Sequence, residues 1–153
     1  MKFDQFERRS AATASGVEPS FALLSGAMVA ELAEAVPTAQ RRGFYLEVGR
    51  RLAEAEALDG VDDAAALAGR VNAHWQAIGW GEAEISLDRD AILVHHRFPP
   101  APPEGTSVGT WTGMLIAVLE GAYDSWFRRL GSGAALHTSA EWRGDAVELR
   151  HGR

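Results

Sequence analysis

One segment of this 153-residue chain constrains the fold more than any other. Residues 109–130 have a helical pattern that is apolar around most of its circumference. A helix of this kind is buried on more than one side. The pattern predicts either a central helix enclosed by the rest of the domain or a helix that contacts another subunit. Its main stripe consists of Trp111, Leu115, Val118, Leu119, Ala122, Trp126 and Leu130, and Met114 and Ile116 widen it.

Three further helices are predicted before this segment, over residues 19–36, 38–57 and about 62–78. Pro37 separates the first two, Asp62 is the expected N-cap of the third, and Gly79 is its expected C′ residue. The first helix has a stripe of Leu23, Leu24, Ala27, Met28, Glu31, Leu32 and Ala35. The second has Phe44, Val48, Leu52 and Ala55 on one face with Tyr45 alongside, and the third has Leu67, Val71, Trp75 and Ile78.

Two β-hairpins are predicted where the apolar period changes to two residues. Residues 82–88 and 91–98 flank a tight turn, and a second pair of alternating segments surrounds the turn at 143–145. A Pro-rich connection separates the first hairpin from the apolar helix. The order is three helices, a β-hairpin, the long apolar helix and a second β-hairpin. This order predicts an α+β fold with an antiparallel sheet of four strands.

The chain is expected to form a single domain over residues 19–153, preceded by an arm. Residues 1–18 contain no sustained apolar period, and we interpret them as a flexible N-terminal arm. The only large apolar side chains of the arm are Phe3 and Phe6, which lie beside Lys2 and Arg8. Because exposing both rings in a free tail gains nothing, we expect them to dock on a neighbouring subunit or on a sugar chain.

Composition and charge exclude several classes of protein. The net charge is −6, with 8 basic and 11 acidic residues in 1–76 and 7 and 10 in 77–153, so neither half suits a nucleic-acid backbone. The longest strongly apolar run, residues 114–119, is far shorter than the roughly 20 residues of a membrane span. The first residues are charged where an export signal has an apolar core. We expect a cytoplasmic rather than periplasmic protein that neither binds nucleic acid nor inserts into a membrane.

The sequence contains no recognisable catalytic site. Phosphate-loop, dinucleotide-binding, zinc-protease and nucleophile-elbow motifs are all missing, and the chain has no cysteine. His95 and His96 are adjacent in a predicted strand, so they point to opposite faces and do not share a metal ion. Glu120 lies in an apolar stretch, and we interpret it as the partner of an arginine across an interface. We expect no enzyme activity, no metal and no cofactor.

Three stretches together resemble one family, the cellulose synthase operon protein D family, which is the D subunit of bacterial cellulose synthase. The first resembles its second-helix motif, the second its Trp-Gly step into the first strand, and the third its Gly-Thr-Trp and Val-Leu-Glu-Gly-x-Tyr motifs. The resemblance covers about residues 20–150. The stretches are Phe44-Tyr45-Leu46-Glu47-Val48-Gly49-Arg50-Arg51-Leu52-Ala53, Ile78-Gly79-Trp80-Gly81, and Gly109-Thr110-Trp111 with Val118-Leu119-Glu120-Gly121-Ala122-Tyr123-Asp124-Ser125-Trp126.

The resemblance implies a non-catalytic accessory subunit. Members of this family form ring-shaped homo-octamers built as tetramers of dimers. One view gives the ring passageways, lined partly by N-terminal arms, through which nascent β-1,4-glucan chains pass. A second view makes it a cytoplasmic scaffold that aligns cellulose synthase complexes with a Pro-rich partner encoded in the same operon. Both serve the crystallisation and export of cellulose, and the lack of an export signal favours the scaffold.

The resemblance also nominates site residues. Lys2, Phe3, Phe6 and Arg8 are candidates for an arm that contacts glucan or docks on another subunit. For Trp111 and Trp126, burial in the core of one subunit and contact between subunits remain equal alternatives. The family motifs nominate, as motif or oligomer-interface residues, Glu47, Gly49, Arg50, Trp80, Gly81, Trp111, Glu120, Gly121, Tyr123 and Trp126.

A second class of function fits the same order of elements. The arrangement of helices and hairpins also resembles vinyl-reductase-type domains, which bind small apolar ligands or trafficking partners. That family often has cysteines in its final hairpin, and this chain has none. The scaffold is therefore the preferred hypothesis, and a domain that binds a small ligand or a trafficking partner is the alternative.

Overall fold

A computed structural model of the chain describes residues 19–153, and within this range it contains four helices and four strands. Their order confirms the predicted α+β fold with two hairpins and a four-stranded antiparallel sheet. The elements are α1 (Pro19–Ala35), α2 (Thr38–Glu54), α3 (Ala64–Ala77), β1 (Glu82–Asp88), β2 (Ala91–Arg97), α4 (Val108–Arg129), β3 (His137–Arg143) and β4 (Ala146–Gly152).

The sheet has the order β1-β2-β4-β3, and all of its neighbouring strands are antiparallel. Both hairpins have two-residue turns, since Asp88 pairs with Ala91 and Arg143 pairs with Ala146. The hairpins join through β2 and β4, where His96 lies opposite Val147. One face of the sheet is covered by helices, and the other presents mostly polar side chains, as the alternation along the strands predicts.

Helix α4 is the centre of the domain, which decides between the two alternatives that its apolar pattern left open. It packs against α2 on one side and against β3 and β4 on the other. One apolar cluster lies between α4, α3 and the sheet, and a second joins its N-terminal half to α1 and α2. Its buried residues are Trp111, Met114, Leu115, Ala117, Val118, Leu119, Glu120, Gly121, Ala122, Tyr123, Trp126 and Phe127.

Glycines bring α2 and α4 into backbone contact. A Cβ on Gly49 would overlap the carbonyl oxygen of Val118 and lie 2.8 Å from the amide nitrogen of Ala122. A Cβ on Gly121 would overlap the carbonyl oxygen of Leu46. Real Cβ atoms do not approach backbone this closely, so any side chain at either position would push the helices apart. The two glycines therefore set the separation of α2 and α4.

The contact with α4 also explains why the predicted face of α2 is only partly right: Val48 and Leu52 do pack against the second apolar cluster, but they are not the most buried positions of the helix. The residues that face α4 are Tyr45, Gly49 and Ala53, at four-residue steps, whereas Phe44 is half exposed. The sequence prediction followed the largest apolar side chains. The close backbone contact at Gly49 instead orients the helix so that the face containing this glycine lies against α4. The helix also ends at Glu54, before the predicted end at residue 57.

The ends of α3 confirm one prediction and correct another. The N-cap is Asp63 and not Asp62, because the Asp63 carboxylate accepts the amide N–H of Ala66 over 2.7 Å. Gly79 occupies the C′ position with φ +71, as predicted. The amide of Trp80 donates to the carbonyl of Trp75 over 2.8 Å and completes a Schellman closure.

Most of the predicted stripe of α1 does not face the core, although Leu32 at its C-terminal end does pack against it. Gly26 and Val29 are the buried residues of this helix, while Leu23, Leu24 and Met28 are exposed. Among the described helices and strands, the contacts of α1 are with α2 and α4. Because Gly26 lies against Pro103 and Thr106 of the loop before α4, the helix rests on its small residues and turns its large ones outward.

We expect Gly49→Ala to destabilise the protein by about 1–3 kcal/mol, because the added methyl group overlaps the backbone of α4. The matched control is Gly69→Ala on α3, where a Cβ would meet no atom within 4 Å. That change should leave stability unchanged or raise it by about 0.5–1 kcal/mol, since it removes a helical glycine. Urea unfolding followed by circular dichroism measures both. Equal effects at the two glycines would contradict the close contact.

Candidate functional site

Ten of the nominated residues lie within the described range, and the arm residues Lys2, Phe3, Phe6 and Arg8 lie outside it. The structure brings Trp80, Glu120, Gly121, Tyr123 and Trp126 into the interior of the domain or its margin.

The Tyr123 hydroxyl lies at the centre of a buried hydrogen-bond chain that joins α3, α4 and β2. The indole Nε1–H of Trp75 donates to this hydroxyl over 3.0 Å, and the hydroxyl lies 2.9 Å from Nδ1 of His96. The other imidazole nitrogen, Nε2, lies 2.7 Å from the carbonyl oxygen of Trp80. Since a carbonyl only accepts, His96 is assigned its proton on Nε2, and Tyr123 donates to Nδ1.

Burial keeps the members of this chain neutral. Removal from water lowers the pKa of His96, and its hydrogen bond to the Trp80 carbonyl opposes this only in part. Burial likewise raises the pKa of Tyr123, partly offset by the hydrogen bond from Trp75. Aromatic rings enclose the chain: Trp75 stacks on Trp80 at 5.9 Å and meets Trp126 edge-on at 5.3 Å. The polar side-chain atoms of Trp75, His96 and Tyr123 thus all have hydrogen-bond partners inside an aromatic core.

A second, partly buried hydrogen-bond chain joins α4 to β3 and β4. The Thr138 hydroxyl lies 2.9 Å from Oδ1 of Asp124 and 2.8 Å from Nδ1 of His151, and Nε2 of His151 lies 2.9 Å from the hydroxyl of Ser132. Because a carboxylate only accepts, Thr138 donates to Asp124 and accepts from His151. Ser132 then donates to the remaining imidazole nitrogen, so His151 is the Nδ1–H tautomer.

The charges along the second chain agree with this assignment. Burial acts to raise the pKa of Asp124, but hydrogen bonds from Arg128 and Thr138 and the charge of Arg128 hold it below its usual value. The Arg128 guanidinium is 2.8 Å from the carboxylate. Burial lowers the pKa of His151, and the nearby Asp124 opposes this in part. His151 is thus a neutral imidazole with both nitrogens in use.

Both chains are suited to holding α4 against the sheet. Each polar atom along them has a partner, and neither His96 nor His151 has measurable exposure to solvent. Across residues 19–153, no group of three or more acidic or histidine side chains is arranged to hold a metal ion. The geometry assigns these residues to stability and to the fixed orientation of the helix on the sheet.

Glu120 has a partner within its own chain, which corrects the expectation of an arginine across an interface. Its Oε1 lies 2.7 Å from a guanidinium nitrogen of Arg42 on α2. The two residues are 78 positions apart, and only the packing of α2 along α4 brings them together. The Glu120 side chain is largely buried, and a buried charge needs a partner. Arg42 supplies the compensating charge at the α2–α4 contact.

Trp111 and Trp126 are both enclosed by their own chain. The indole N–H of Trp126 donates to the carbonyl of Ala53 over 3.2 Å, and that of Trp111 donates to the carbonyl of Pro100 over 2.7 Å. Trp126 has no exposed surface, and Trp111 has almost none. Of the two alternatives for these side chains, burial in the core of one subunit accounts for both.

The other nominated residues have surface or turn positions. Glu47 and Arg50 form an ion pair one helical turn apart on the exposed side of α2. Gly81 has φ +93, and a Cβ there would lie 2.6 Å from the carbonyl oxygen of Phe98. This conformation and this crowding both require glycine at the entry to β1.

Most members of the two polar chains carry no signal in the sequence that marks them as bonded partners. His96 had one usable signal, because it occupies an inward position of β2 in register with Val94 and belongs with core residues. Thr138 had a similar signal, because it occupies an inward position in the alternating pattern of β3. No local signal marked His151 and Ser132 as partners, since the pairing needs the turn after α4 to meet the last strand.

The fold and these buried networks define a small α+β domain whose internal ionisable groups serve its architecture. The family model for the D subunit of cellulose synthase matches residues 8–152, and the chain belongs to this family. This confirms the resemblance found in the sequence and supports a role in cellulose synthesis. No curated protein shows a significant match to the chain. Within the described part of the chain, no helix combines the length and apolar character of a membrane span.

We expect the free energy of unfolding to fall as the pH drops below about 6.5, the ordinary pKa of an unfolded histidine. The folded pKa of His96 is lower, so protons bind the unfolded state first and favour it. One such histidine contributes up to about 1.4 kcal/mol per pH unit in this window. Urea unfolding at several pH values between 5 and 7.5 measures the slope.

The matched pair for this experiment is His96→Gln and His95→Gln, because the two side chains lie on opposite faces of β2. His96→Gln should lower stability at pH 7 and flatten the slope, whereas His95→Gln should retain the slope. Imidazole resonances of the unchanged protein provide a check that needs no substitution. A folded His96 that titrates at or above pH 6.5 would contradict the buried neutral tautomer.

Proposed function

We propose that the protein is a non-catalytic accessory subunit of the bacterial cellulose synthase complex that assembles with copies of itself. In this proposal it organises synthase complexes or nascent glucan chains for crystallisation and export, and it acts in the cytoplasm. Membership of the D-subunit family supports the connection to cellulose synthesis. The use of buried histidines and carboxylates in structural bonds supports a role without chemistry. The family match also favours this hypothesis over a domain that binds small ligands.

The observation that carries the proposal of self-assembly is the exposed apolar face of α1. Four large side chains on this one helix are more than half exposed, which is unusual in a monomeric protein. They are Phe21 at 66 %, Leu23 at 59 %, Leu24 at 56 % and Met28 at 54 %. Burying a side chain of this kind gains roughly 1.5–3 kcal/mol, so a partner that covers the face gains substantially.

The arrangement of α1 favours a second subunit as that partner. Phe21, Leu24 and Met28 follow one another at three- and four-residue steps, so they form one ridge. Gly26 and Val29 lie on a different side of the helix and attach it to α4. A helix with apolar residues on two sides is stable only between two neighbours. A self-complementary contact between two α1 helices would supply the missing neighbour and give a two-fold dimer.

We also propose a larger assembly and further partners, and family membership is what supports them. We propose that such dimers combine into a ring, with an octamer as a tetramer of dimers the expected size. The ring would present repeated surfaces to the synthase complex, to a Pro-rich operon partner and to β-1,4-glucan. Aromatic and arginine residues are favoured at such contacts. No cofactor or metal enters this role.

Leu24→Glu should break the assembly because it places a charge in the proposed contact without a partner. Gel filtration with light scattering gives the mass, which for the unchanged protein should be several times the 16.5 kDa of one chain. The matched control is Ala73→Glu, which adds the same charge at an exposed position of α3. Circular dichroism shows whether each variant folds. A stable monomer of the unchanged protein at micromolar concentration would overturn the proposal.

Loss of the protein in cells should reduce or disorder cellulose while the synthase remains active. Membranes isolated from a deletion strain should therefore still polymerise glucan at close to the normal rate. Complementation by the Ala73→Glu variant should restore ordered cellulose, and complementation by Leu24→Glu should not. Abolished polymerisation in the isolated membranes would indicate a catalytic or activating role and contradict the accessory one.

A further inference from the structure

An apolar cleft of about 470 Å³ lies at the end of α4, where helices cease to cover the sheet. Helix α4 ends at Arg129, and the turn at Gly131, with φ +99, takes the chain away toward β3. The last inward residues of the first hairpin, Leu87 and Ile92, are therefore not covered by α4. Leu87 is 72 % exposed, although it belongs to the core-facing side of β1.

The cleft is apolar inside and acidic at its rim. Its floor is formed by side chains that include Ile85, Ile92 and Phe127. Two carboxylates, Asp62 and Asp63, line its edge at the start of α3. Asp63 is occupied as the helix cap, but Asp62 forms no ion pair with any described residue.

A second groove continues the acidic surface. It shares Leu130 with the cleft and is lined by Glu54, Glu56 and Asp59 of the connection between α2 and α3. Two cations lie nearby: Arg129 lines the groove, and Arg70 lies 3.9 Å from Glu56. Glu54 and Asp59 form no ion pair with any described residue, so they leave the groove with uncompensated negative charge. An occupant of this surface needs a large apolar side chain with positive charge beside it.

We propose that the cleft binds the N-terminal segment of a second copy of this chain, with Phe6 inserted and Arg8 and Arg9 at the acidic rim. The segment has the required chemistry, because Phe3 follows Lys2 and Phe6 precedes the arginine pair. A phenylalanine ring buries roughly 150–250 Å² on docking, which suits an apolar cleft of this size. The inference rests on the proposed self-assembly and adds to it a specific exchange of segments between subunits.

The cleft and the contact of α1 with the loop before α4 lie at opposite ends of α4, because Gly26 faces Pro103 before its N-terminus and the cleft lies at its C-terminus. The 22 residues of α4 span about 33 Å, and residues 6–19 can reach roughly 45 Å when fully extended, so distance alone permits docking within one chain or between two. The proposed subunit contact is what favours the second copy. Because α1 carries this contact, the segment that precedes α1 begins at the boundary with a neighbour.

Cysteine crosslinking tests the proposal, since the full chain has no cysteine of its own. Gln5→Cys places a thiol beside Phe6 without removing either ring, and Leu87→Cys places one in the cleft. The matched control is Ser86→Cys, because Ser86 is adjacent to Leu87 but faces the opposite side of the sheet. Chains with distinguishable tags, one with Gln5→Cys and the other with the sheet cysteine, are co-expressed and treated with a short bismaleimide.

We expect a crosslinked pair of differently tagged chains with Leu87→Cys and several-fold less with Ser86→Cys. Adding Phe6→Ser to the first chain should reduce the Leu87 yield several-fold, since the anchoring ring is lost. Asp62→Lys should also reduce it, and Arg8→Glu with Arg9→Glu should restore it in the Asp62→Lys background. A crosslinking yield restored by charge reversal would identify a direct contact between the arginines and Asp62. A general loss of stability would lower the yield but would not allow the second change to restore it.

Other outcomes overturn the proposal in distinguishable ways. Equal yields at Leu87 and Ser86 in an intact oligomer would reject the cleft as the docking site and leave self-assembly standing. A chain with both Gln5→Cys and Leu87→Cys that links only within itself would reject exchange between subunits. Light scattering on the same samples reports the assembly separately, so a monomer there would reject the proposed function itself.

Discussion

The domain depends on one close contact, the approach of the α2 backbone to the α4 backbone at Gly49 and Gly121. Side chains elsewhere fill the space that this contact defines. Because α2 lies against α4 at backbone distance, Arg42 reaches Glu120 and the Trp126 indole reaches the carbonyl of Ala53. On its other side α4 carries Tyr123 and Asp124, which bind it to the sheet through two chains of hydrogen bonds. The central helix is therefore held toward α2 by close backbone contact with an ion pair and an indole hydrogen bond beside it, and toward the sheet by two chains of hydrogen bonds.

Periodicity predicted the elements because it reports which faces need burial. The helix over residues 109–130, the two hairpins and the C′ position of Gly79 follow from local pattern, and the structure confirms them. The face of α2 followed only in part, because Val48 and Leu52 pack at its margin whereas Gly49, which a hydrophobic pattern does not mark, lies at the centre of the contact. The stripe of α1 similarly marks a real apolar face, but a pattern does not state whether this chain or another one covers it.

The polar interior was the least predictable part of the molecule. Tyr123 and His96 lie 27 residues apart, and Thr138 and His151 lie on neighbouring strands. Their roles depend on distances and on which atom donates, neither of which a single sequence encodes locally. The family motifs marked Tyr123 and Trp80 as important without stating why. The structure supplies a physical reason for each, since the Tyr123 hydroxyl holds His96 in one tautomer and the Trp80 ring stacks on Trp75 beside it.

The way α4 is held determines how the domain responds to force. Close-packed interiors have low compressibility, and here the central helix is fixed from both sides. A push on the outer helices is transmitted to the sheet as a movement of the whole body, with little internal deformation. In an assembly of such units the repeat distance is then set by the dimensions of the folded subunit. In the proposed assembly, the spacing between neighbouring subunits would then be determined by the fold of one subunit.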